Sequence, residues 1–442
     1  MNVLKFGGTS VGSPERIRHV GQLVAQREKN IIVLSAMSGT TNTLVEIADY
    51  LAKGNIPGAQ ETINSLEAKY AATVKELLST QDGRESAETA IDRCFTIIRS
   101  YCADTPRFSE QAEKEILAQG EIMSTALMMA HMQECGIRAT MLPALEYMRT
   151  LENGEPDVAF ISSRLRLLLE LDPDADLYIT QGYICRNATG DIDNLKRGGS
   201  DYTASLIGAA LECDEIQIWT DIDGMHNNDP RYVGNTRPVN SLHFEEAAEL
   251  AYFGAKILHP TCVLPAKLHN IPVRLLNTMQ PEAPGTLIYN MAPDGRIKAV
   301  AAKDNITAIK IKSGRMLLAY GFLHKVFETF ENHRTSIDMI ATSEVGVTVT
   351  IDDESHLAAI IDDLKNFGTV TVDRDMVIIC VVGDLEWHNC GFEAMALSAL
   401  KDIPVRMISY GGSNYNISVL VRREDKIEAL RKLSETLFDT KA

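Results

Sequence analysis

Short apolar runs alternate with long amphipathic stretches from residue 3 to about residue 290, and few architectures accept that rhythm. The runs at 3–6, 31–35, 137–142, 177–181, 215–220 and 272–276 have strand character. Between them, 63–78, 86–100, 110–135 and 200–212 carry helical spacing. A largely parallel sheet covered on both faces follows. Several strands end directly in glycine or polar residues, where open α/β sheets hold their ligands.

After Pro281-Glu-Ala-Pro-Gly285 the texture changes to short strands and shorter helices, and a repeat becomes legible. Ile337-Asp-Met-Ile-Ala341 matches Val405-Arg-Met-Ile-Ser409 at an offset of 68, and Val349-Thr-Ile351 matches Val419-Leu-Val421 at an offset of 70. Helical stretches precede each copy (322–332 and 392–400) and follow it (355–364 and 425–437). Units of this pattern fold as small sheets with helices on one face. Two tandem α+β units are expected after the large domain.

Bulk properties narrow the partners. The formal net charge of −17 argues against nucleic acid or an anionic membrane, so any phosphate site must be a local basic pocket. The eight cysteines are scattered without a CxxC pair, which fits a reducing cytosol better than a disulfide frame or zinc site. There is no signal-peptide pattern at the N-terminus and no apolar run near the ~20 residues of a membrane helix. A cytoplasmic protein is expected.

Four segments carry chemistry. At the N-terminus a strand runs through Lys5 into Gly7-Gly8-Thr-Ser, and Ser13-Pro-Glu15 then opens a helix. That arrangement lets backbone N–H groups converge on a phosphate, with Lys5 as a point charge, or it is a plain β-turn. Lys196-Arg197-Gly198-Gly199-Ser200-Asp201 precedes a helix that Ser200 is placed to cap. Asp201 suits that helix's dipole with or without a functional role. Thr220-Asp221, with Asp223-Gly224, ends a strand in groups suited to a ribose, a base or simple Asx-turns. Lys256, in Phe253-Gly-Ala-Lys256, lies among apolar neighbours and either snorkels or reaches a phosphate. No P-loop, GxGxxG, HRD or DFG signature is present.

Six segments in order, Lys5-Phe-Gly-Gly-Thr-Ser-Val11, Ser35-Ala-Met-Ser-Gly-Thr-Thr-Asn42, Gln119-Gly-Glu-Ile-Met-Ser-Thr125, Arg197-Gly-Gly-Ser-Asp201, Trp219-Thr-Asp221 and Phe253-Gly-Ala-Lys256, resemble the aspartokinases of the amino-acid kinase superfamily. The likeness spans nearly the whole chain. It implies an α/β amino-acid-kinase sandwich of the carbamate-kinase type over 1–290, with a mainly parallel sheet. Two ferredoxin-like ACT domains follow over 300–370 and 371–442, with strands exchanged between them.

The implied reaction is phosphorylation of the side-chain carboxylate of L-aspartate by ATP with Mg2+ held mainly by the nucleotide phosphates. By the same resemblance, Lys5 and Lys256 neutralise the transferring phosphoryl group and Asp201 orients them. Gly7, Gly8 and Gly199 give backbone contacts to phosphates, and Thr220, Asp221, His226 and Arg231 join the lysines around the nucleotide. Ser35, Thr41, Glu121, Arg197 and Ser200 hold aspartate. Position 226 is His where many members carry Tyr. No metal is held by protein side chains alone.

For regulation, the resemblance implies an effector set of Met316, Ser336, Asp338, Thr342, Ser343 and Glu344. Leu318 and Ala319 depart from the His and Ser that lysine-sensitive relatives often show. Two carboxylates suit the two ammonium groups of L-lysine better than the one of threonine, so lysine is the expected feedback inhibitor. ACT units associate edge to edge, which predicts a homodimer or a dimer of dimers. The competing readings are a kinase for glutamate or acetylglutamate, and a non-catalytic amino-acid sensor.

Overall fold

The computed structural model describes residues 1–25, 29–103, 108–195, 198–254, 260–292, 294–313 and 320–438. Arg197, Lys256 and Met316 lie outside the described residues, as do Leu318 and Ala319. The chain divides into two compact units, Met1–Gly224 with Leu258–Asn290, and Met225–Ile257 with Met291–Ala442. Residues 225–257, grouped with the catalytic domain in the sequence reading, go with the second unit.

In the first unit the strands run Ala139–Leu142, Leu177–Gln181, Ile31–Leu34, Val3–Phe6, Ile216–Thr220, Val273–Asn277 and Thr286–Tyr289 across one sheet. All neighbours are parallel except the last pair. Strands 31–34 and 177–181 are buried at every residue, as parallel strands covered on both faces must be. The order reverses at Val3–Phe6: the chain builds outward on one side first, then crosses to Ile216–Thr220 on the other. Connections leave such a strand in opposite directions, so a crevice opens at its carboxyl end. The Gly7-Gly8 turn stands there. Phe6 and Trp219 face each other across the register and stack 5.7 Å apart, adding on the order of 1 kcal/mol to the area they bury.

Helix Glu110–Glu134 packs on this sheet, with Gln81–Ala103 against it and Ile56–Leu77 against that; all three start at or before their expected positions and end within three residues of them. Ser109 caps the third by accepting from the Ala112 N–H at 3.2 Å. The expected Ser200 cap is corrected. Helix Gly199–Leu211 starts one residue earlier, and its N-cap is Gly198 in the left-handed region at φ 88°. A second glycine there lets the chain turn without a side-chain cap, which releases the Ser200 hydroxyl for another use.

The second unit holds one six-stranded antiparallel sheet in the order Ile340–Ser343, Gly346–Ile351, Ile297–Lys312, Thr369–Gly383, Asn416–Arg422 and Met407–Ser409. Its two central strands are 16 and 15 residues long, and both repeats hang on them. The repeat is visible in the register. Lys303 pairs with Ile378 and Ala308 with Asp373, and a shift of 70 exchanges these two pairs; Ile306–Met376 maps onto itself. The cores correspond likewise: Ile309, Ile311, Val349, Ile351 and Ile360 in one cluster become Ile379, Val381, Val419, Val421 and Leu430 in the other. Residues 297–303 pair with the second repeat's strand, so the repeats share a sheet instead of forming two.

Candidate active site

Lys5 is the half-buried residue of an otherwise buried strand, because its register partners Val33 and Ile218 leave it one position from the sheet's carboxyl end. Its Nζ lies 2.6 Å from Oδ1 of Asp201, in the first turn of helix Gly199–Leu211, with the side chains 12% and 16% exposed. The contact is ionic without hydrogen-bond directionality: Asp201 Oδ1 is buried with no directed donor among the described residues.

The turn after Lys5 is laced to its neighbours. Gly7 N–H donates to the Trp219 carbonyl at 3.2 Å, one residue before Thr220, and Ser38 N–H donates to the Gly8 carbonyl at 3.1 Å. A Cβ on Gly8 would stand 2.8 Å from the Ala36 carbonyl oxygen, and since that neighbour is backbone it cannot move aside. Only glycine lets the two loops approach this closely. Between them lies a cavity of about 320 Å3 whose lining includes Gly8, Thr9, Ser35, Ser38, Gly39 and Thr41.

Behind the Ser35–Ala36 loop, helix Glu110–Glu134 sends in polar groups from a buried face. Ser124 Oγ donates to the Ser35 carbonyl at 2.8 Å, and Ser35 Oγ donates to Ser200 Oγ at 2.9 Å. The released hydroxyl of Ser200 thus ties the helix start to the substrate loop. Glu121 is 4% exposed; its Oε1 accepts the Ala36 N–H at 3.2 Å, and its Oε2 is buried without a partner among the described residues. Burial pushes its pKa up to about 8, with the Ala36 N–H opposing. An unpaired buried carboxylate oxygen is costly unless a cation arrives. The ammonium of an amino acid is such a cation.

Lys5, Gly7, Gly8, Ser35, Thr41, Glu121, Gly199, Ser200, Asp201, Thr220 and Asp221 all belong to the first unit. Thr220 donates to its neighbour Asp221 at 3.1 Å, an exposed local bond that leaves both at the sheet edge. His226 and Arg231 belong to the second unit. His226 Nδ1 meets Thr236 Oγ1 at 3.1 Å. Arg231 is held by both carboxylate oxygens of Asp229, at 2.9 and 2.6 Å. Its guanidinium is held by this local bridge while its side chain stays 75% exposed.

The effector set fares unevenly. Ser336, Thr342, Ser343 and Glu344 are exposed, the middle two on the edge strand Ile340–Ser343. Asp338, expected to take an effector ammonium, already holds one. Lys303 Nζ lies 2.7 Å from its Oδ1, and Tyr252 donates to the same oxygen at 3.0 Å.

Two residues next to the predicted site residues escaped the sequence reading. Lys69 Nζ donates to the Ser38 carbonyl at 2.8 Å, and burial lowers its pKa. Its place beside the buried Leu66, Tyr70 and Thr73 on one helix was the available signal. Tyr183 adopts φ 68° beside Gly199, and burial, with Glu121 adding, pushes its pKa up to about 12. Nothing in the sequence marks it.

The Amino acid kinase family model matches residues 1–277, and an ACT domain model matches 379–437. The chain is 33% identical to lysine-sensitive aspartokinase 3 of Escherichia coli (strain K12), over 99% of both chains. The crystal structure of E. coli aspartokinase III with aspartate and ADP superposes with a TM-score of 0.84 at 33% identity, covering 99% of this chain and 100% of that one. The form of that enzyme with lysine and aspartate gives 0.82 at the same identity, covering 99% of each chain. A match over more than half the chain, joined to end-to-end similarity, settles the assignment: the chain belongs to the aspartokinase family of amino acid kinases and is an aspartate kinase.

Proposed function

We propose that the Lys5–Asp201 pair and the buried Glu121 are the two poles of this enzyme's active site. Asp201 holds Lys5 where the γ-phosphate of ATP arrives, and the N–H groups around Gly7, Gly8 and Gly199 receive phosphate oxygens. Lys256 supplies the second cation. Glu121 takes the ammonium of aspartate, Arg197 its α-carboxylate, and Ser35, Thr41 and Ser200 complete the cradle. The single observation that carries this reading is Glu121 Oε2, buried and unpaired beside the loop that lines the cavity. The proposed sequence domains are a catalytic domain over 1–290 and ACT units over 300–370 and 371–442, with residues 225–257 grouping with the second compact unit.

The chemistry needs little else. The substrate's side-chain carboxylate, with a pKa of about 3.9, is ionised at neutral pH and attacks without a general base. The obstacle is the meeting of two anions, so catalysis consists of positioning and charge neutralisation in line with the leaving ADP. Among the described residues no three His, Cys, Asp or Glu side chains are grouped to hold a metal. Mg2+ would ride on the nucleotide phosphates, as the family resemblance implies, where it adds to the neutralising charge.

Lysine is the proposed feedback inhibitor. Its side-chain ammonium has the chemistry of the Lys303 ammonium now on Asp338, and can replace it there, with Ser336, Thr342, Ser343 and Glu344 around it. The exposed edge strand Ile340–Ser343, with Ile340 and Val345 also exposed, supports a homodimer through the ACT sheet. No helix among the described residues is long and apolar enough to cross a membrane, in keeping with a cytoplasmic enzyme.

A coupled assay for ADP release tests the acceptor, with aspartate, glutamate and acetylglutamate offered separately. Turnover is expected with aspartate alone; equal turnover with acetylglutamate, which lacks the ammonium, would remove Glu121 as its partner, and equal turnover with glutamate would overturn the choice of acceptor. Titrating lysine and threonine against that activity tests the effector, and inhibition by threonine only would sink the lysine assignment.

A further inference from the structure

The twofold relation within the ACT sheet presents one place twice, with the charges reversed. The shift of 70 that exchanges register pairs carries Lys303 onto Asp373 and Asn305 onto Asp375. Asn305 and Asp375 both hold a left-handed backbone, at φ 60° and 54°. The repeat likewise sets Asp338 against Arg406, Asp352 against Arg422 and Asp353 against Arg423. In the first repeat Lys303 lies 2.7 Å from Asp338, and in the second Arg406 Nε lies 2.7 Å from Asp373. Each ion pair keeps its length and swaps its signs.

Occupancy separates the two places. In the first repeat the end of helix Phe244–Tyr252 fills the position: the Tyr252 ring lies under Lys303, 4.5 Å from Nζ, and its hydroxyl reaches Asp338. Asp338 is consequently 1% exposed. In the second repeat the same position is an open cavity of about 910 Å3 lined by that repeat's own residues. There Arg406 and Asp373 remain 35% and 43% exposed. Arg374, Arg422 and Arg423 also line it, each paired with a single carboxylate, at 3.2, 3.3 and 3.8 Å.

Exposed pairs of that kind contribute little, so these guanidiniums can turn to a ligand at small cost. Their planar forks match carboxylate and phosphoryl oxygens two at a time. The four guanidiniums outnumber the lining carboxylates Asp373, Asp375 and Glu424 by one, a small local positive excess in a chain of net charge −17. We propose that this cavity is a second ligand site, for a small multivalent anion whose carboxylate or phosphoryl oxygens are held by Arg406, Arg422 and Arg423.

Isothermal titration of the full-length enzyme with citrate, and separately with inorganic pyrophosphate, distinguishes a polycarboxylate from a phosphoryl ligand. Comparison with Arg422→Ala/Arg423→Ala separates this site from the catalytic one. Wild type is expected to bind at least one probe with sub-millimolar affinity, and the double variant about a hundredfold more weakly, since two charged hydrogen bonds are lost at about tenfold each. Its kcat for aspartate without probe stays unchanged. Arg422→Lys/Arg423→Lys keeps the charge, preserves folding should the alanine pair fail, and is expected to fall between the two. Equal affinity in wild type and both variants, or no binding of either probe at millimolar concentration, overturns the proposal. So does an oligomer that dissociates in the variants while wild type binds no probe, since a second copy would then own the cavity.

Discussion

Lys5 stands 2.6 Å from Asp201 in the first unit and Lys303 stands 2.7 Å from Asp338 in the second, yet the two pairs are built for different ends. Lys5 has one anionic partner among the described residues, in a contact without directionality, beside a crevice at a sheet's carboxyl edge. Lys303 donates to Asp338, reaches Asp352 at 2.9 Å and lies over Tyr252. Burial works against the Lys303 charge, but Asp338 and Asp352 outweigh it and hold its pKa above the ordinary lysine value. A charge with one loose partner keeps interaction energy in reserve for a ligand. A charge met from three sides has spent it on the fold.

Removing each pair should therefore fail in a different currency. The largest effect is expected from Lys5→Ala, which should lower kcat by roughly 10^3-fold or more, the loss typical of a transition-state electrostatic contact. Aspartate KM and the unfolding midpoint should barely move; a variant keeping half its kcat would erase the contrast. Next, Asp338→Ala leaves Lys303 with Asp352 as its one carboxylate and the Tyr252 hydroxyl without its acceptor, and should cost on the order of 3 kcal/mol in denaturant unfolding. Asp201→Ala should cost well under half of that. Equal losses would show the pairs to be structurally alike.

Glu121 sharpens the comparison through pH. Its folded pKa of about 8 lies far above the ordinary carboxylate value, so the unliganded protein binds an extra proton between the two. That contribution is fully present at low pH and is lost as pH rises through about 8. Glu121→Gln should abolish the decline and melt above wild type at pH 9. Since an ammonium needs the ionised form, aspartate KM should fall with rising pH in wild type. In the variant it should be flat and about tenfold higher, the price of one charged hydrogen bond. A parallel KM profile in both proteins would remove Glu121 from the substrate site. The smallest effect belongs to Tyr252→Phe, which deletes one bond to Asp338 while keeping the ring over Lys303. A loss of about 1–2 kcal/mol is expected; none at all would mean that Lys303 alone satisfies Asp338.

Much of the frame was legible before any coordinates. The strands at Val3–Phe6 and Leu177–Gln181 and the helix Phe322–Asn332 fall where periodicity placed them. The offset between repeats reappears as an exchange of register pairs. Ser200 was misread because a cap inferred from residue type competes with a left-handed glycine two positions earlier, and the glycine won. The Asp338 neighbourhood could not be read: Tyr252 and Lys303 are 86 and 35 residues away from it.

Local chemistry decides what is encoded in short windows. Strand and helix periods, the Gly7-Gly8 turn and the order of the motif segments depend on residues a few positions apart, so the chain alone indicated the fold class and, through its resemblance to the aspartokinases, the reaction. Which charges face each other depends on loop closures across tens or hundreds of residues. That is why only the tertiary structure decided that Glu121 keeps an unpaired oxygen, and that one ACT repeat is filled by Tyr252 while its charge-reversed twin stands open.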